Sequence, residues 1–149
     1  RLSDLYLMYA EASNETKAAP DSEVYEYIQK VRDRAGLDVG GDLVSTWQVH
    51  SANPSKPTTK DGMRAIIHQE RMIELALEGH RYWDLRRWKL AGEYFSKPIR
   101  GWNIFKPDVE GFYEVENIFY RNYLTKDYLW PISQTELLRN PNLIQNPGW

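Results

Sequence analysis

Apolar residues recur at helical spacing from the first turn of the chain. Leu2, Leu5, Tyr6, Tyr9 and Ala12 form one stripe, which predicts a helix of about four turns. The polar run from Asn14 to Pro20 predicts a short loop. Asp21 or Ser22 then caps a second helix with the stripe Val24, Tyr27, Ile28, Val31 and Ala35, and Gly36 ends it. Two amphipathic helices joined this closely predict an antiparallel hairpin. One hairpin cannot bury both stripes by itself, so it reads as one unit of a helical-repeat stack. The chain opens at Arg1 with neither an initiator Met nor a capping residue before Leu2, and the expectation is a fragment of a longer chain.

From Asp38 to Asp61 the periodicity is lost among Gly40, Gly41, Pro54, Pro57 and several Ser and Thr. This predicts a long connection with a short ordered piece around Val44 to Val49. Periodicity returns for a third helix over Gly62 to Leu77, a break at Glu78 and Gly79, and a fourth helix over Tyr82 to Ala91. Beyond Gly92, prolines and glycines punctuate extended segments, with Phe112, Val115, Ile118 and Tyr120 as strand candidates. Leu129 to Ile132 reads as extended. Ser133 caps a short helix through Leu138, with Glu136 completing a capping box. Asn140 to Trp149 is turn chemistry.

On a wheel of about 100° per residue, Met63, Ile66, Ile67, Ile73 and Leu77 define the apolar arc of the third helix. Glu70 and Glu74 fall near its centre. Two carboxylates driven toward a core need cations, and Arg71, His80, Arg81, Arg86 and Arg87 follow directly. Arg87 shares a face with Trp83 and Leu90, a geometry for stacking on the indole while reaching a carboxylate. One reading is a structural ion network locking two helices together, with Glu74→Ala expected to cost roughly 3 kcal/mol by stranding a buried cation. The other is a glycoside hydrolase pair formed by Glu70 and Glu74, against which stands the side-by-side placement of neighbours one turn apart.

Composition narrows the chemistry. A net charge of -2 leaves no basic footprint for nucleic acid or an anionic membrane surface. The absence of cysteine excludes disulfides, thiolate metal sites and thiol catalysis. No apolar run reaches the roughly 20 residues of a membrane-spanning helix. His50, His68 and His80 match no zinc spacing, and neither a phosphate-cradling loop nor a nucleophile elbow is present, so no metal or cofactor is expected. Aromatic residues, at 13% with 10 Tyr and 6 Trp, are in excess. Trp47, Trp102, Tyr113 and Tyr120 fall in or beside loops and strands, where a flat ring can stack on a sugar face or pack irregular chain over the helices.

Five segments stand in a recognisable order: YLMYAEA (Tyr6 to Ala12), VRDRAGL (Val31 to Leu37), ERMIELALEGHRYWDLRRWK (Glu70 to Lys89), LWPIS (Leu129 to Ser133) and NPNLIQNPGW (Asn140 to Trp149). Together they resemble the C-terminal portion of SusD/RagB proteins. The resemblance implies a mainly α fold of tetratricopeptide-like helical hairpins with long loops and a few short strands, residues 1–149 forming one C-terminal domain. It implies a non-enzymatic lipoprotein on the bacterial outer membrane that captures glycans or other nutrients, with a SusC-like TonB-dependent transporter as partner. It carries over scaffold residues only: Glu70, Arg71, Glu74, Arg81, Asp84 and Arg87 as packing and ion-network positions. A generic helical-repeat scaffold that binds protein is the alternative.

Overall fold

Two helices of nearly equal length open the computed structural model, which describes residues 1–37 and 41–149. Asp38 and Gly40, the start of the expected connection, lie outside the described residues. The chain is mainly helical and forms two compact units, Arg1–Arg81 and Tyr82–Trp149.

In the first unit, α1 (Leu2–Thr16) packs on α2 (Ser22–Arg34), and α3 (Leu43–His50) and α4 (Lys60–Glu74) complete the bundle. The Asp21 carboxylate caps α2 by accepting from the Val24 amide at 3.3 Å. Gly36, at φ +73°, terminates it, and the Leu37 amide returns to the Arg32 carbonyl. The core is Ala10, Val24, Ile28, Leu43, Met63, Ile66 and Ile67.

Three expectations need correction here. The stripe of α1 is not its buried face: Leu7, Ala10, Glu11, Ser13 and Asn14 are buried, while Leu2, Leu5, Met8 and Tyr9 are exposed. Both α2 and α4 pack on α1, and they seat it on smaller and polar residues. Asn14, expected in a loop, is inside the helix and donates to the Lys60 carbonyl at 3.2 Å. The ordered piece expected around Val44 to Val49 is present as α3, capped by a reciprocal Asp42–Ser45 box, and the connection also carries a 3-10 turn at Lys56–Thr58. Lastly, α4 begins two residues early on a Thr59 cap and stops at Glu74, which leaves Leu77 beyond it exposed and Leu75 buried, and Ile73 within the helix is exposed as well.

The second unit starts within α5 (His80–Arg87), followed by the short α6 (Ala91–Phe95) where no helix is expected. An antiparallel pair follows, β1 (Ile99–Trp102) with β2 (Val115–Phe119), in the register Trp102 opposite Val115 and Ile99 opposite Phe119. Val115 and Ile118 lie in the strand. Phe112 does not, because the Asp108 carboxylate caps a single turn, α7 (Val109–Phe112), by accepting from Gly111 at 2.6 Å. The last helix, α8 (Gln134–Arg139), has Ser133 at its N-cap without the expected side-chain capping bond.

The tail is held by side chains. The Gln145 amide bonds both the N–H and the carbonyl of Ile132 at 2.9 Å, and Asn146 donates to the Trp130 carbonyl at 2.6 Å. The Trp149 indole N–H is shared between the Lys126 and Leu129 carbonyls. Two of the sequence motifs, LWPIS and NPNLIQNPGW, are thus zipped to each other without a regular ladder.

Candidate functional site

The charged residues at the end of α4 are engaged in ion pairs, and their partners come mostly from elsewhere than the sequence suggests. Glu70 accepts from the Arg32 guanidinium of α2 at 2.5 Å, with both side chains about nine-tenths buried. Glu74 takes Arg34 at 2.5 Å and Arg1 at 3.0 Å. Arg71, with its side chain 3% exposed, donates to Asp4 of α1 at 2.9 Å. The VRDR segment therefore supplies the cations that neighbouring Arg81, Arg86 and Arg87 were expected to provide. Arg81 belongs to the first unit, and Asp84 and Arg87 to the second. Arg87 donates to buried Asp84 at 2.9 Å and lies 4.8 Å from the ring centroid of Trp88, the residue next to it, not of Trp83.

Beside the Arg32–Glu70 pair the first unit opens a cavity of about 350 Å³, lined also by Trp47, His50, Gln69 and Ile73. Trp47 is half-buried against the core, and the Lys56 ammonium stands 4.9 Å from its ring centroid. An indole edge, an amide and a charged pair with spare lone pairs are the chemistry of a hydroxyl-rich ligand.

The second unit carries the other rings. Trp102 and Tyr113, 54% and 57% exposed, meet edge to face at 5.1 Å, and Phe112 packs against both. Tyr120 is separate from them. It borders an open cleft of about 720 Å³ whose other walls include Tyr82, Phe95, Phe119, Arg121 and Tyr123. Tyr82 stacks on Phe95 at 5.6 Å, and Phe95 meets Tyr123 at 5.4 Å, giving a continuous aromatic wall. Burial pushes the Tyr123 phenol up, against the pull of the nearby Arg86 charge, so the hydroxyl stays protonated and donates to the Asp127 carbonyl.

The four ring positions named from sequence thus fall in three places: Trp47 in the first unit, Trp102 with Tyr113, and Tyr120 in the cleft. Sequence reasoning missed the wall of the cleft. The alternation of rings and polar groups from Phe119 to Tyr123 is a local signal for part of it, but Tyr82 reads as an ordinary helix residue and Phe95 falls beyond Gly92, where extended chain is expected. Among the described residues no three His, Asp or Glu converge as a metal site.

The SusD family model matches residues 1–149. SusD-like protein P2 of Formosa agariphila is 37% identical over 150 residues, which is 100% of this chain and 25% of that protein. SusD-like protein P25 of the same organism is 32% identical over 146 residues, 98% of this chain and 23% of the relative. A solved SusD-like protein from Bacteroides fragilis matches with a TM-score of 0.74 at 30% identity, covering 100% of this chain and 25% of its own. A SusD homolog from Bacteroides thetaiotaomicron matches at 0.64 and 26% identity, over 100% and 26% of the two chains. This chain therefore spans about a quarter of the length of the curated relatives it matches. With the motif order from Tyr6 to Trp149 and the family match over residues 1–149, the chain belongs to the SusD family.

Proposed function

We propose that this chain is part of a non-enzymatic protein that captures glycans at the bacterial outer membrane and works with a SusC-like TonB-dependent transporter. The observation that carries the reading is membership of the SusD family along residues 1–149. Exposed rings at Trp102, Tyr113 and Tyr120 and the Trp47 cavity supply surfaces of the kind that sugars stack on, and we propose these four as glycan contacts. Attachment through a lipid anchor upstream of these residues follows from the family reading. Among the described residues no helix is long and apolar enough to cross a membrane. The ion-paired positions Glu70, Arg71, Glu74, Asp84 and Arg87, with Arg81, serve as scaffold. Glu70 and Glu74 lie one turn apart on one helix and each already holds an arginine, an arrangement unsuited to flanking a glycosidic bond.

A helical-repeat scaffold that binds protein is favoured by one observation, the exposed stripe Leu2, Leu5, Met8 and Tyr9 on α1. Titration of the full-length protein with a glycan panel separates the two readings. Saturable binding of at least one oligosaccharide, weakened by Trp102→Ala or Tyr120→Ala, is expected. Failure to bind any glycan, together with an upstream sequence lacking a signal peptide and lipidated cysteine, would leave the scaffold reading standing.

A further inference from the structure

Most cations of the first unit lie against carboxylates, but two guanidiniums beside the aromatic cleft of the second unit do not. Arg121 donates through Nε and Nη2 to the Lys97 carbonyl, and through Nη2 to the Tyr94 carbonyl at 2.9 Å. Its guanidinium carbon lies 5.6 Å from the Phe95 ring centroid. Arg86 is held by the Tyr82 and Tyr123 hydroxyls and the Asp127 and Tyr128 carbonyls. Among the described residues every one of these acceptors is a neutral oxygen. Two positive charges are therefore fixed in place with no carboxylate at ion-pair distance among the described residues. The one carboxylate bordering the cleft, Asp127, accepts from the Leu124 amide at 2.7 Å.

This geometry suits an anion more than a neutral sugar. Neutral acceptors remove the rotamer freedom of Arg121 before any ligand arrives, while its charge and its Nη1 edge stay available for a carboxylate or sulfate. Tyr120, Phe119 and Tyr82 offer apolar faces around it, exposed at 71%, 60% and 37%. A helix-capping role alone explains the carbonyl bonds. It does not explain why, among the described residues, the cation sits on the rim of an aromatic-walled cleft with no carboxylate at ion-pair distance and a second guanidinium held by neutral oxygens behind the wall.

We infer that the Tyr120–Arg121 cleft is a subsite for an acidic sugar, a uronate or a sulfate ester, with Arg121 binding the anionic group and the surrounding rings taking the sugar faces. The inference rests on the glycan-capture reading and narrows its ligand class.

The test is calorimetric titration of the full-length protein with two matched pairs of probes: tetragalacturonate against its carboxyl-reduced form, and a carrageenan tetrasaccharide against its desulfated form. At least one acidic probe should bind about tenfold or more tighter than its neutral partner. Arg121→Gln should abolish that preference, and Arg121→Lys should restore part of it. In the wild-type protein, raising salt from about 50 to about 500 mM should weaken acidic binding and leave neutral binding unchanged, a readout that needs no variant to fold. The preference for one pair over the other tells carboxylate from sulfate. Equal affinity within both pairs, salt-independent binding, or an Arg121→Gln protein that melts lower yet keeps its selectivity would each overturn the subsite. If only neutral glycans of the wider panel bind, the acidic-sugar inference fails while glycan capture stands; if no glycan binds, both fail.

Discussion

Removing the Glu70 carboxylate should cost far more than removing that of Glu74, although both sit near the centre of the same apolar arc. Glu70 and Arg32 have side chains only 12% and 11% exposed. At a charge separation of about 4 Å and an effective dielectric near 20, their attraction is about 4 kcal/mol. Glu70→Ala forfeits it and leaves Arg32 charged and largely desolvated, for a net loss of about 3 kcal/mol. Glu74 is equally buried at 10%, but its partners Arg34 and Arg1 are 60% and 47% exposed and return to water when released. Glu74→Ala should therefore cost about 1 kcal/mol, not the 3 that the helical wheel implies. Native-state hydrogen exchange of the α4 amides reads this difference locally, whatever the remainder of the full-length protein does. A double-mutant cycle with Arg32→Met should return a coupling of about 2 kcal/mol or more for Glu70. Equal costs for the two glutamates, or a Glu70→Ala cost below about 0.5 kcal/mol, would refute the reasoning.

Gly62→Ala should destabilise by about 1–2 kcal/mol despite the helix propensity of alanine, because the new Cβ would fall 2.0 Å from the Lys56 carbonyl oxygen. A raised Tm in a thermal melt would sink that argument. Gln145→Ala should remove both bonds to Ile132, loosening the tail by about 1–2 kcal/mol, with faster exchange at the Ile132 amide as the reading. The Arg64 guanidinium hydrogen-bonded to Glu15 holds its carboxyl below the usual glutamate range. The stabilisation is then complete above the unfolded value of about 4.3 and is lost as pH falls through the folded one. Thermal melts of Glu15→Gln should show a shallower decline below about pH 4.3 than the wild type, and an unchanged slope would count against the pair.

How far the sequence carried depends on whether a feature is local. The Asp21 cap, the Gly36 stop and the apolar stripe of α2 are set by side chains within a few residues of the backbone they act on, and all three are present in the structure. The Asp42–Ser45 box is just as local, and α3 falls on the short ordered piece that the sequence marks around Val44 to Val49. The α1 stripe misled for the opposite reason: with two neighbours to satisfy, the helix turned its smaller, partly polar face inward. The ring set was legible only in part. Being aromatic is visible in a sequence, but which rings meet depends on strand register and on α6, a helix too short for periodicity to detect.

By itself the sequence determined the family, the helical character, and the fact that Glu70 is driven inward, since motif order and helical period need no tertiary information. Only the tertiary structure decided which cations meet those carboxylates. Ion pairing is set by distance in space, and Arg32 and Arg34 stand 38 and 40 residues away from Glu70 and Glu74. Only it decided, too, that Arg121 lies among backbone carbonyls and rings with no carboxylate at ion-pair distance among the described residues, because pairing is a property of everything around a residue and not of the residue itself.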